Sequence, residues 1–216
     1  LISLNGIVQV GKKFRSYPLF NFPASLVNTI SLYIPPIMLL TIYDAHIAGF
    51  YSLAQSLVIL PGKIISTSMG QAYLGEASMM IRERSTKLSI LYRRTIKHLS
   101  IISIPLIGIP ALLAPFLVSF IFGAEWKDAG WYCWPLVLMV VGSFVSGTTS
   151  LLSQYGYNFW QFCWDFTRLL FVLLGFYICY LLGFPPIISL TIYSFTLLLM
   201  YLVNIFMNVV AINKFT

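Results

Sequence analysis

Two cations stand inside stretches otherwise suited to hydrocarbon: Lys63, within the apolar run 47–81, and Arg168, within the run 159–182. A lysine at the centre of a membrane helix costs about 2.5 to 3.5 kcal/mol on insertion scales, so it needs water, a partner or a ligand to face. Counted from Ala48 at 1.5 Å per residue, Lys63 lies about 22 Å along its helix, too deep to extend easily to the interface. It is read as lining a wet cavity, with a snorkelling or paired structural lysine as the alternative. Wound at about 100° per residue, the same run brings Ser52, Gln55, Ser56, Lys63, Ser66, Thr67, Gly70 and Gln71 onto one face. Asp165 and Arg168 are spaced i and i+3 and can pair on one helix face near the start of their span. They form either an interfacial ion pair or a cation at the mouth of a cavity, open to an anionic ligand. Asn28 is a further polar candidate, and Gln71 and Glu76 fall near the end of their helix, where surface polarity competes with function. Fixed cations among neutral amides and hydroxyls suit the binding of an anion rather than bond-breaking chemistry.

The rest of the sequence argues against catalysis. It holds no phosphate-binding Walker loop, GxSxG elbow, HExxH helix or dinucleotide fingerprint. No cofactor or metal is implied. Cys133, Cys163 and Cys179 lie in apolar runs without metal spacing and read as small, reduced core residues. His46 falls in a turn and His98 at an interface. The net charge of +7 sits in segments flanking apolar runs, which makes it topological. Anionic lipid is the partner it suits, and nucleic acid is not expected.

These residues must be held by membrane helices. The chain is 59% hydrophobic and only 9% charged, where soluble domains carry about 25% charged residues. An all-α, polytopic integral membrane protein is expected. A basic, aromatic lead-in, 1–21, with Lys12, Lys13 and Arg15, precedes a six-helix region, 22–216. The six spans are placed at about 22–43, 47–81, 99–122, 131–154, 159–182 and 187–212. Pro35 and Pro36 should kink the first span, and Pro61-Gly62 should bend the second just before Lys63. Between the second and third, Arg82 to His98 reads as an amphipathic basic piece at or projecting from the surface. Ten cations, Lys12, Lys13, Arg15, Arg82, Arg84, Lys87, Arg93, Arg94, Lys97 and Lys214, fall on one side and only Lys127 on the other. Lysine and arginine accumulate on the cytoplasmic side, so both ends of the chain are expected there.

The run AGFYSLAQSLVILPGKIISTSMGQAYLGEAS (Ala48 to Ser78), with FPASLVNTIS (Phe22 to Ser31) and FGAEWKDAG (Phe122 to Gly130), resembles a known family. It is similar to the polysaccharide (O-antigen type) flippases of the multidrug/oligosaccharidyl-lipid/polysaccharide exporter superfamily, over the whole chain. Such proteins look like two six-helix lobes around a central cavity, and this chain resembles the C-terminal lobe. The resemblance implies flipping of lipid-pyrophosphate-linked repeat units, for O-antigen, capsule or similar polymers, across the bacterial inner membrane by alternating access. It further implies a missing N-terminal lobe, a lipid-linked oligosaccharide substrate, and a polysaccharide polymerase and chain-length machinery as partners. It touches Asn28, Gln55, Gln71 and Glu76, whereas Lys63 and Arg168 enter on physical grounds. A drug or small-molecule antiporter of the same superfamily is the alternative, and would want an intramembrane carboxylate, for which only Glu76 and Asp165 stand within spans. A membrane scaffold for polysaccharide assembly, without transport, is a third reading.

Overall fold

The computed structural model describes residues 17–83 and 85–215. Lys12, Lys13, Arg15 and Arg84, part of the basic side expected from the sequence, lie outside the described residues. Among the described residues there are six helices long and apolar enough to cross a membrane. They are α1 (Phe22–Ile42), α2 (Ala45–Arg82), α3 (Lys87–Phe122), α4 (Lys127–Thr149), α5 (Asn158–Leu181) and α6 (Pro186–Phe215). A π-helical turn, Tyr17–Asn21, leads into α1, and a 3-10 turn, Ala124–Trp126, joins α3 to α4.

Local chemistry sets several boundaries. Asp44 caps α2, its Oδ1 accepting from the Ile47 N–H at 2.8 Å and satisfying one of the free amides of a helix start. Gly123 ends α3 at φ +99°, a backbone state that L side chains resist. The double proline and Pro61-Gly62 do not break their helices, for α1 and α2 run through them as single elements. Each proline removes one donor, and with no water competing for the neighbouring carbonyls the rest of the ladder holds. The basic piece after α2 is likewise no separate element, since α3 begins at Lys87. With 38 and 36 residues, α2 and α3 extend roughly 55 Å at 1.5 Å per residue, against about 30 Å of hydrocarbon. Their joined ends project, exposing Arg82, Lys87, Arg93, Arg94 and Lys97. Finally, α4 stops at Thr149, short of Gln154, because Asn208 Oδ1 accepts from the Leu151 N–H at 2.8 Å and anchors the turn that follows.

The bundle is built around α4. Of its membrane-spanning window 56% is buried, against 17 to 33% for every other helix, and it packs on α2, α3 and α6. Small residues permit this. A Cβ on Gly130 would collide with the Pro115 backbone of α3, and one on Gly142 would press on Tyr201 of α6 at 3.0 Å. Close backbone approach through small residues is how helices associate in lipid, where apolar surface alone gives no preference for a neighbour. The first helix instead packs on α5 and α2, and α5 on α6. At the end of the bundle holding the α1–α2 and α5–α6 turns, the Tyr43 hydroxyl donates to the Phe184 carbonyl at 2.7 Å and lies 2.6 Å from Ser189 Oγ. There too Phe50 meets Trp126 edge-on at 5.5 Å, and the main core, with Tyr51, Val58, Ala111, Cys133 and Leu136, fills the space below. Outward faces carry bare apolar residues, Phe120 at 88% and Phe116 at 75% exposed among them, as lipid requires.

Candidate functional site

The last two turns of α4 and its end read GSFVSGTTS, and Ser143, Ser146, Gly147 and Ser150, at i, i+3, i+4 and i+7, share one helix face. This face is the floor of an open polar cleft in the half of the bundle nearer the basic end. On one side the floor meets α1, α5 and α6 around a cavity of about 560 Å³, lined by Asn21, Asn28, Gln161, Trp164, Asp165, Arg168, Tyr201 and Asn204. On the other it meets α2 around a cavity of about 450 Å³ that takes in Ser66, Thr67, Gly70 and Gln71. The two share Ser143, Gly147, Ser150 and Gln154. A third recess of about 130 Å³ holds Lys63 and shares Ser66 and Ser143 with the second. Ser143 thus borders all three, and the cavities adjoin one another along the α4 floor.

Its charged corner is closely tied. Arg168 Nη2 lies 3.2 Å from Asp165 Oδ1 and donates to Asn28 Oδ1 of α1 at 2.7 Å. Gln161 Nε2 donates to the other carboxylate oxygen at 2.9 Å. The guanidinium also lies 4.7 Å over the Trp164 ring, a cation–π arrangement, and the indole N–H donates to the Met200 carbonyl of α6 at 2.7 Å. One arginine thereby joins α5 to α1 while its neighbouring ring joins α5 to α6. Across the floor, Ser146 Oγ donates to Asn204 Oδ1 at 2.9 Å, and Asn208 Nδ2 reaches the same oxygen at 3.1 Å. In the turn closing this end, burial pushes the Tyr155 phenol above its ordinary range.

Of the residues singled out from sequence, Asn28, Lys63, Gln71, Asp165 and Arg168 border the cleft. Gln55 is half-buried higher on α2 and Glu76 is exposed below, and neither lines it. Asp165 and Arg168 do pair, and they do so within a cavity wall: they are only 3% and 4% exposed, because α1 and α6 cover the start of α5. Lys63 is exposed, and the hydroxyls of Ser66 and Thr67 bond back to its carbonyl at 3.1 and 2.8 Å. The α4 floor, Gln161, Tyr201 and Asn204 were missed. Their signals were the serine spacing in α4 and the Asn204/Asn208 i, i+4 pair in α6. Among the described residues, no three His, Cys, Asp or Glu side chains gather in a metal-holding group.

A family model described as polysaccharide biosynthesis protein matches residues 3–130, more than half of the chain. The match takes in Asn28, Lys63 and Gln71 and stops in the first turn of α4, ahead of the cleft floor and the Asp165–Arg168 pair. No curated protein and no solved structure matches the chain.

Proposed function

Since the chain belongs to the polysaccharide biosynthesis protein family and carries adjoining cavities lined by polar side chains between membrane helices, we propose that it flips lipid-diphosphate-linked saccharide units by alternating access. The observation that carries the reading is that cleft. A saccharide headgroup drawn through hydrocarbon loses its hydrogen bonds to water at a cost of several kcal/mol per unpaired polar group, and a lining of hydroxyls, amides and cations replaces them. The lipid tail has no such need and stays in the bilayer. Its negatively charged diphosphate requires a cation, for which Lys63 is available. The protein is not read as an enzyme, and its contribution is a path rather than a reaction. A second six-helix lobe is proposed to cover the open side of the cleft, with substrate held between lobes near the midplane. The setting proposed is the bacterial inner membrane with the basic end cytoplasmic, supplying O-antigen, capsule or similar polymers beside a polymerase and chain-length machinery.

The test is made in cells. A strain lacking the protein should lose surface polymer and accumulate lipid-linked repeat units that an impermeant sugar oxidant added outside the inner membrane does not reach. Restoring the full-length gene should make them accessible. Units that reach the outer leaflet at the normal rate in the deletion strain would sink the proposal.

One observation favours a second reading, a cation-coupled antiporter: Asp165 is a carboxylate inside the cleft. Its position 3.2 Å from Arg168 already compensates its charge, which ranks this reading below the first.

A further inference from the structure

The two cations of the cleft differ in what already holds them. Arg168 is buried, ion-paired with Asp165 and bonded to Asn28, whereas Lys63 is exposed at the rim of its recess and no ion pair engages it among the described residues. A buried guanidinium whose charge is already matched offers little further attraction to a dianion, since recruiting it would strand the carboxylate in a low-dielectric site. The pair does, however, present a fixed array of donors and acceptors with no net charge. Around it stand neutral partners: the Asn28 amide N–H groups, left over once its oxygen accepts from Arg168, and Ser143. Asn21 also borders this cavity, and its Oδ1 is buried and without a hydrogen-bond partner among the described residues. Trp164 and Tyr201, their rings 5.8 Å apart, line the same wall. Planar polar groups beside aromatic rings match a pyranose, which has hydroxyls around its rim and C–H groups on its faces. Its volume of about 560 Å³ lies in the range of about 300 to 1,000 Å³ typical of small-ligand pockets.

The geometry points to a division of labour within the cleft: the Asp165–Arg168 cavity is a carbohydrate subsite that reads uncharged sugar hydroxyls, and the diphosphate lies at the Lys63 recess. This rests on the flippase reading and deepens it by assigning opposite ends of one substrate to opposite walls of α4. The polar strip of Ser66, Gln71 and Gln154 between the walls then spans the link from sugar to diphosphate.

The test uses the full-length protein in nanodiscs and two probes, an isoprenyl diphosphate without sugar and the same lipid diphosphate carrying an oligosaccharide. Binding is read from the fluorescence of the cleft tryptophan and by an independent filter assay. In the wild type the sugar should strengthen binding by about tenfold, the equivalent of one or two well-made hydrogen bonds. Lys63→Ala should weaken both probes about tenfold or more and leave their ratio unchanged. The double variant Asp165→Asn/Arg168→Gln removes both charges together, so no carboxylate is stranded. It should leave the bare isoprenyl diphosphate within about twofold of wild type while the sugar-dependent gain falls. Asn28→Ala, which keeps both charges and their ion pair while removing one acceptor from Arg168, should cut the same gain and provides the second measurement if the double variant inserts poorly. The inference is overturned if the double variant loses the bare diphosphate as severely as Lys63→Ala does, which would make Arg168 the phosphate cation. It is equally overturned if neither variant alters the sugar-dependent gain, or if the wild type shows none. Any of these outcomes leaves the flippase reading standing if the deletion strain still traps its repeat units on the inner leaflet; the flippase reading falls only if the units flip without the protein.

Discussion

Arg168 and Lys63 carry the same charge and predict opposite phenotypes. Replacing Arg168 by Ala leaves Asp165, only 3% exposed, as a buried and unpaired carboxylate, and breaking such a pair typically costs about 3 to 5 kcal/mol. Arg168→Ala should therefore lower the melting temperature in detergent and the amount of inserted protein, and adding Asp165→Asn should recover much of the loss. An unchanged melting temperature would mean that the carboxylate reaches water, contrary to the burial described. Lys63→Ala strands nothing, because no partner loses its charge. It should abolish or sharply reduce surface polysaccharide while inserted protein holds steady or rises, with insertion improving by up to about 2 to 3 kcal/mol. Lys63→Arg should retain more transport than Ala. Normal polysaccharide in Lys63→Ala at normal protein level would remove the lysine from the path.

At the scale of elements, α4 has two tasks that pull its composition in different directions. Its first turns pack into the core through Gly130 and Cys133, and its last turns turn serines toward the cleft. Any side chain at Gly130 meets the Ala114 carbonyl at 2.8 Å as well as the Pro115 backbone, and backbone cannot swing aside. Gly130→Ala should cost about 1 to 3 kcal/mol as an overpacking change, read as reduced thermal stability of the purified protein. Gly49→Ala on α2, with nothing within 4 Å, should be neutral or slightly stabilising through helix propensity. Equal effects at the two glycines would contradict the close α3–α4 approach. The polar stripe on α2 is less exposed chemically than its residue types imply. Ser52 and Ser56 each bond the carbonyl four residues back at 2.8 Å, which satisfies their hydroxyls in lipid at little cost. Only its lower part, from Lys63 to Gln71, meets the cleft.

Taken whole, the bundle has a sealed end and an open end. Turns containing His46, Lys127 and Gly183 lie at the first, tied by the Tyr43–Phe184 and Phe50–Trp126 contacts. The second gathers the α2–α3 hairpin, the turn at Tyr155 and the end of α6, where Lys214 Nζ lies 5.2 Å over Trp160 and the Tyr92 hydroxyl donates to the Ile205 carbonyl at 3.1 Å. Cysteines introduced near His46, Lys127 and Gly183 should accordingly react with an impermeant thiol reagent from outside the membrane. Those at Lys87, Tyr155 and Lys214 should react only after it is permeabilised. Labelling at Lys87 from outside would invert the molecule and turn the cleft toward the opposite leaflet.

Six apolar runs and the gathering of cations toward one end were legible in the sequence, because hydropathy and charge act residue by residue against a slab of fixed thickness. The stripe on α2 was legible for a related reason: helical period alone puts Lys63 and Gln71 on one face. Pairing between helices was not. The spacing of Asp165 and Arg168 left an interfacial pair and a cavity-mouth cation both open, because distance along α5 says nothing of α1, and only the fold carries Asn28 to within 2.7 Å of the guanidinium. Proline content forecast a kink in α1 and a bend in α2, and both helices run through those prolines as single elements. The cleft itself belongs wholly to tertiary structure: serines on α4, amides on α1 and α6 and a lysine on α2 become one surface only when small residues let those helices approach, a contact that no single helix encodes.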